Sequence, residues 1–211
     1  PIEHYWSTFM DAFDNPDSFK TQGTESIKLP RGLRFLATIN NDQTTETFSA
    51  RFLDRSPVIT MFNKNVSIES ISEEDVDKKK IEPLDFSYGF LEKCFGGHND
   101  LDNDISEALN GLKNHDCLEI QHRKMQAFQK LVSSLFYPLR LMDFGSSVAY
   151  DYGVLLHLLP KINGQGQKYK DNLEKLHKYL ESNNYAMSAE KVAQIISDGS
   201  QSFESYSYFS S

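Results

Sequence analysis

The sequence predicts an α/β half followed by an α-helical half. Two short apolar runs, LRFLATI at 33–39 and PVITMF at 57–62, have the length and composition of strands that are buried on both faces, as in a parallel sheet. Later segments repeat apolar residues at helical spacing, and a polar stretch lies between the two halves. We therefore expect an α/β part at 1–62, a linker or insertion at 63–117 and a helical domain at 118–211.

Composition and charge argue against several classes of protein. The 211 residues are 39% apolar with a net charge of −8, and no apolar run approaches the roughly 18 residues that a bilayer span needs. The negative charge argues against general electrostatic capture of DNA or RNA by this chain. Cys94 and Cys117 are too few for a disulfide framework or a zinc site. We therefore expect a cytoplasmic protein with no membrane partner and no metal site of its own.

The helical half contains four segments with amphipathic spacing. They lie at 121–136, 148–159, 169–180 and 189–197. Pro160 stops the second of these helices, and Ser188 has the residue type and position of an N-cap for the fourth. The aromatic tail SFESYSYFSS predicts a final strand or an extended docking segment. By contrast, 96–116 is Gly- and Asn-rich, and we expect a connection with one poor helix there.

Asn40 is the first candidate functional residue, because it follows the first predicted strand in ATINND. Ligands of open parallel sheets bind beyond the carboxyl ends of the strands. An amide at this position can donate to a phosphate oxygen and accept from a water molecule, which would orient that water for attack. The alternative is an Asn that closes a turn by bonding its own backbone.

Arg51 and Arg55 are the next candidates, spaced i and i+4 in SARFLDRS. Both would project from one side of a short helix that ends just before the second strand. A guanidinium directed out of the subunit could stabilise the charge that develops on a neighbour's phosphate during phosphoryl transfer. The alternative is a surface ion pair, for example between Asp54 and a nearby arginine.

The chain lacks the phosphate-binding pattern GxxxxGK[ST]. It therefore does not hold a nucleotide through a phosphate loop of its own. Its first residues, PIEHYWSTFM, are dense in aromatic side chains, whereas free termini are usually frayed and polar. We expect the sequence to begin inside a larger protein.

Several motifs resemble a known family, the McrB-like AAA+ NTPases of bacterial defence and restriction systems. LPRGLRFLATINNDQTTETFSARFLDRSPVITM resembles the segment that follows the second nucleotide motif in AAA+ proteins. DYGVLLHLLPKINGQGQKYKDNLEKLHKYLESNNYAMSAEKVAQII resembles the helical lid of the McrB-like group. The resemblance covers about 1–62 and 145–209, and it implies the last strands of an AAA+ core followed by the lid.

The resemblance also implies roles for individual residues. Asn40 matches the sensor-1 residue that senses the γ-phosphate and positions water, and Arg55 matches the arginine finger that acts on the neighbouring subunit. Arg51 is the alternate arginine, and Arg140 in YPLRL is the nearest sensor-2 candidate. The implied cofactor is ATP or GTP with Mg²⁺, bound mainly by sequence upstream of this chain.

The implied assembly is a homo-oligomeric ring with a nuclease subunit as partner and at most indirect contact with DNA. Because the Walker A and B residues are absent, we expect this chain alone to be inactive as an NTPase. The alternative function is a non-enzymatic helical module that binds another protein.

Overall fold

In a computed structural model of the chain, the described residues are 19–20, 26–27, 36, 38, 50–59 and 101–209. The helices are α1 (Ala50–Leu53), α2 (Leu101–Lys113), α3 (His122–Leu141), α4 (Ser147–Gly153), α5 (Gln167–Ser182) and α6 (Ala186–Gln201). A π-helical turn at Val154–Leu158 and a 3₁₀ turn at Leu159–Lys161 follow α4 directly. The strands are β1 (Phe19–Lys20), β2 (Ser26–Ile27), β3 (Asn163–Gln165) and β4 (Ser205–Ser207).

The helical domain has one continuous hydrophobic core. In α5, Leu173, Leu176 and Leu180 follow each other at steps of three and four, and all three are fully buried. Residues of α3, α4 and α6 pack into the same cluster, and α5 and α6 lie against each other as a helical hairpin. The predicted α-helical half is confirmed, because its apolar residues recur at the spacing that puts them on one helical face.

Helix α2 extends this core towards the N-terminus of the domain. Ile105, Leu109 and Leu112 are 0–2% exposed and pack with the other helices. The sequence predicts a connection with one poor helix here, because Asn, Asp and Gly dilute its apolar residues. The steps of four and three between these residues are nevertheless helical, so the helical domain begins before residue 118.

The C-terminal tail forms the strand that the sequence offers as one of two alternatives. β4 pairs antiparallel with β3, with Gly164 opposite Tyr206. Tyr206 and Tyr208 are both buried, and a Cβ on Gly199 would lie 2.1 Å from the Tyr206 ring. The glycine in α6 therefore makes room for the tyrosine that fastens the tail to the domain.

Asp151 of α4 caps the start of α6. Its carboxylate oxygens accept hydrogen bonds from the backbone N–H groups of Met187 and Ser188, both at 2.8 Å. The predicted N-cap at Ser188 is wrong, because the helix begins at Ala186 after the N-cap position Tyr185. The Ser188 hydroxyl instead donates to the backbone carbonyl of Asp151, so both partners bind the two helices together.

The described residues of the two predicted buried strands are not strands. Leu36 is 97% exposed, and Pro57 to Ile59 has no regular secondary structure, with Ile59 71% exposed. The strands within the described ranges form two antiparallel pairs, and none belongs to a parallel sheet. An apolar run becomes a strand only where its backbone groups find a neighbouring strand.

The backbone of Val58 finds a different partner. Its N–H donates to the carbonyl of Leu156 at 3.1 Å. In a continuous α-helix that carbonyl would accept from residue 160, but Pro160 has no N–H to donate. The predicted helix stop at Pro160 is wrong, because α4 already ends at Gly153 and the proline lies within the 3₁₀ turn Leu159–Lys161. Pro160 instead leaves an acceptor that holds the 50–59 segment against the helical domain.

Candidate functional site

Arg55 lies in a tight turn at the end of α1. Its N–H and that of Ser56 both donate to the carbonyl of Phe52, at 3.0 and 3.2 Å. Leu53 is 6% exposed and anchors the helix, whereas Arg55 is half-buried. The turn follows directly from a four-residue helix that is too short to stabilise itself. Its position therefore depends on contacts with the helical domain.

The first of these contacts is an ion pair between Asp54 and Lys161. Lys161 Nζ contacts Asp54 Oδ1, and the two side chains are only 4% and 18% exposed. Glu119 Oε2 lies 3.8 Å from the same ammonium, on a side chain that is 67% exposed. The sequence offered Asp54 as the partner of a nearby arginine, whereas the structure pairs it with a lysine 107 positions along the chain.

The second contact joins Lys124 to Ser56. Lys124 is 1% exposed, and its Nζ donates to the backbone carbonyl of Ser56 at 3.4 Å. Burial lowers the pKa of Lys124 to about 8; nearby Asp54 opposes this change and nearby Lys161 adds to it. The residues on both sides of Arg55 are therefore bonded to buried lysines of the helical domain.

His157, in the π-helical turn, lies close to Lys124. We call this group of residues the Arg55 cluster; it consists of Asp54, Arg55, Ser56, Lys124, His157 and Lys161. His157 is 7% exposed, and its Nδ1 is buried without a hydrogen-bond partner among the described residues. Burial lowers its pKa to about 4, and the positive charge of Lys124 lowers it further. His157 is therefore neutral at physiological pH, and protonating it would place a third cation beside the two lysines.

The other predicted site residues are not brought together by the described contacts. Asn40 lies outside the described residues. Arg51 lies in α1, and its side chain is outside the described part. Arg140 is exposed in the last turn of α3, and no described contact joins it to Arg55.

Sequence reasoning missed Lys124, His157 and Lys161. A signal for Lys124 was present, since it precedes Phe128 and Val132 at steps of four and so continues the buried stripe of α3. A charged residue on such a stripe is rarely buried without a partner. Its partners could not be read from the sequence, because they lie in the distant 50–59 segment.

Residues 87–202 match a family described as a domain of unknown function, DUF8727, and this range is more than half of the chain. The chain belongs to the DUF8727 family. The matched range includes Lys124, His157 and Lys161, whereas Asp54 and Arg55 precede it. A search of curated proteins and a search of solved structures each gave no match for this DUF8727 protein.

Among the described residues, no helix is both long and apolar enough to cross a membrane. Within the same ranges, no group of three or more His, Cys, Asp or Glu side chains is arranged to hold a metal ion.

Cys117 is a buried thiol whose Sγ lies 3.7 Å from the Asn172 carbonyl, and burial raises its pKa to about 11. It is therefore a poor nucleophile at neutral pH.

His157 gives the DUF8727 domain a predictable dependence of stability on acid pH. Its pKa is about 4 in the folded protein against the ordinary 6.5, so the unfolded state binds the extra proton between these values. Stability is therefore lost as the pH falls from 6.5 towards 4, and we expect a loss of about 2 kcal/mol between about pH 7 and about pH 5 from this residue. His157→Gln, which cannot be protonated, should remove that part of the change.

Urea denaturation of both proteins at the two pH values measures this effect. His177→Gln is the matched control, because that histidine is partly exposed and pairs with Glu181 away from the cluster. An acid dependence that is unchanged by His157→Gln would show that the buried imidazole does not carry the effect.

Proposed function

We propose that this DUF8727 protein is the C-terminal portion of an AAA+ NTPase of the McrB-like type, in which Arg55 acts on nucleotide held by a neighbouring subunit. The observation that carries the proposal is that Asp54 and Ser56, on either side of Arg55, are bonded to buried lysines. A group that must reach a phosphate across a subunit boundary needs a fixed backbone, since a displacement of about 1 Å can cost about 100-fold in rate. The likeness of RFLDR to the arginine-finger motif supplies the role.

In this proposal the chain contributes two polar groups to hydrolysis of ATP or GTP. Asn40 aligns the attacking water within its own subunit. Arg55 stabilises the negative charge that develops on the transferred phosphoryl group of the neighbour, so turnover requires a ring of subunits. The phosphates and Mg²⁺ are bound by sequence upstream of Pro1, since the chain has no phosphate-binding loop.

The helical domain acts as the lid in this scheme. Lys124 and Lys161 belong to that domain and hold the turn that carries Arg55. A rotation of the domain therefore moves the arginine with it. This linkage would couple the state of one nucleotide site to the position of the finger at the next.

The proposed partners are further copies of the same protein and a nuclease subunit. The net charge of −8 disfavours direct binding of DNA by this chain. We therefore assign contact with DNA to the nuclease partner, in a cytoplasmic complex.

The second candidate function is a non-enzymatic module that binds another protein. Phe203 favours it, because this side chain is fully exposed in a turn whose backbone φ of 52° is unusual for a residue other than glycine. Phe144, in the turn after α3, is also half exposed. Such a module would bind its partner with no dependence on nucleotide.

Phosphate release separates the two candidates. The 211-residue chain should release no phosphate from ATP or GTP above background, whereas a protein that also contains the upstream phosphate-loop sequence should hydrolyse one of them. The measurement is made with Mg²⁺ at saturating nucleotide. If the longer protein neither binds nor hydrolyses either nucleotide, the NTPase proposal is wrong and the interaction module remains.

A further inference from the structure

A pocket of about 430 Å³ lies in the helical domain, and its lining includes neither Arg55 nor the residues that hold its turn. One wall is a face of α2, where Asp104, Glu107, Ala108 and Gly111 recur at the helical spacing of three, one and three. The rest of the lining consists of Asn183 and three tyrosines, Tyr150, Tyr179 and Tyr185. The pocket therefore has an acidic wall and an aromatic wall.

The tyrosines are held rigidly. Tyr150 and Tyr185 are 8% and 5% exposed, and their rings stack with centroids 6.2 Å apart at an interplanar angle of 14°. The Tyr179 ring packs against His115 at 4.9 Å. A ligand would therefore meet aromatic surfaces that lose little conformational freedom on binding.

Gly111 makes room for the Tyr179 side chain beside α2. A Cβ at position 111 would lie 2.2 Å from the Tyr179 hydroxyl oxygen. Glycine in a helix interior costs about 1 kcal/mol relative to alanine. The absence of a side chain at Gly111 allows the Tyr179 hydroxyl to lie directly against the backbone of α2.

Within the described ranges, no hydrogen bond reaches the hydroxyl groups of these three tyrosines. Tyr185 illustrates this, since its side chain is only 5% exposed and no described residue donates to or accepts from its hydroxyl. Burial raises the pKa of Tyr185, and nearby Tyr179, Tyr150 and Asp151 raise it further, so the three phenols lie within electrostatic range of one another. Buried tyrosine hydroxyls usually find a hydrogen-bond partner. A ligand with several N–H donors would supply one.

The charge of the pocket is negative. Asp104 and Glu107 are exposed carboxylates in its lining, and none of the described lining residues is a Lys or Arg. Asp104 and Glu107 are close enough to raise the pKa values of Tyr150 and Tyr179 respectively, after the larger effect of burial. His115, which borders Tyr179, has a pKa lowered by burial, so it adds no full charge at neutral pH.

We propose that this pocket binds the guanidinium group of an arginine side chain presented by a partner polypeptide. The carboxylates of α2 accept hydrogen bonds from the planar fork of guanidinium donors. The hydroxyl groups of the buried tyrosines accept others, and the partly buried Tyr179 ring offers a cation–π contact. A quaternary ammonium could use the aromatic rings, but it has no N–H to satisfy the tyrosine hydroxyls. This site is independent of the proposed NTPase function, because it lies wholly within the helical domain.

Calorimetric titration of the 211-residue chain with N-acetyl-L-arginine amide tests the proposal. We expect saturable binding that weakens as salt is added, and binding of the citrulline analogue, which has the same shape without the charge, at least about tenfold weaker. Tetramethylammonium should also bind at least about tenfold more weakly. N-acetyl-L-arginine should bind less tightly than the amide, because the acidic wall repels its free α-carboxylate.

Variants locate the binding. Asp104→Asn and Glu107→Gln should each reduce affinity for the arginine amide by about threefold to tenfold. Glu190→Gln removes an equal charge at an exposed position of α6 and should leave this affinity unchanged. Circular dichroism confirms that each variant is folded. Absence of saturable binding, equal affinity for the citrulline analogue or tetramethylammonium, or no effect of the two α2 variants would overturn the guanidinium site. Tighter binding of N-acetyl-L-arginine than of the amide would overturn the assignment to a partner polypeptide.

Discussion

Under the NTPase proposal, replacing Arg55 by alanine in a longer protein that carries the proposed phosphate loop is expected to reduce nucleotide turnover by about 10³-fold or more, the usual effect of removing an arginine finger. In the proposed role, the guanidinium stabilises charge that exists only in the transition state. Nucleotide affinity should therefore stay within about twofold of the unaltered protein, since ground-state binding does not depend on that charge. Turnover is measured as phosphate release, and affinity by equilibrium titration.

Two further variants make this result specific to Arg55. Arg55→Lys keeps the positive charge but loses the planar fork, so it should remain strongly impaired. Lys175→Ala removes a charge from the exposed face of α5 and should leave turnover unchanged. Near-normal turnover of Arg55→Ala would show that the finger assignment is incorrect.

Lys161→Met is expected to destabilise the helical domain and its docked segment by about 3 kcal/mol, because the Asp54 carboxylate loses the ammonium that contacts it and keeps only the more distant charge of Lys124. Removing one partner of a buried ion pair costs more than the pair contributes, since the remaining charge is desolvated without compensation. The double variant Asp54→Asn with Lys161→Met should therefore lose less stability than the two single variants added together. Urea denaturation monitored by circular dichroism measures all three.

Lys168→Met is the matched control for this cycle. Lys168 is exposed in the first turn of α5, so its replacement should change the free energy of unfolding by less than about 0.5 kcal/mol. A Lys161→Met variant as stable as this control would show that the ion pair does not hold the 50–59 segment in place.

The helical domain could be predicted because its signal is local. Apolar residues at helical spacing, such as Leu173, Leu176 and Leu180, can be recognised without knowing which surface they pack against. Helix α2 was underestimated because its stripe is narrow and its composition polar. The tail strand could be named only as one of two alternatives, since pairing with β3 is a long-range contact.

The candidate site was predictable only in part. Arg55 was identified from a motif, but the residues that fix its position come from α3 and the turns after α4, far away in sequence. The hydrogen bond from Val58 to Leu156 depends on a carbonyl that Pro160 leaves unused, and this explains why an apolar run did not become a strand at 57–59. Periodicity cannot distinguish these outcomes, because it does not show which backbone groups find a hydrogen-bond partner.

A mixing experiment tests most directly whether Arg55 acts between subunits. Arg55→Ala protein is combined, at varied ratios, with a variant whose upstream phosphate-loop lysine is replaced, each being inactive alone. The account predicts that mixed rings regain turnover, because a subunit with an intact phosphate loop then sits beside a subunit with an intact Arg55. Rings that form in the mixture but show no turnover at any ratio would contradict it.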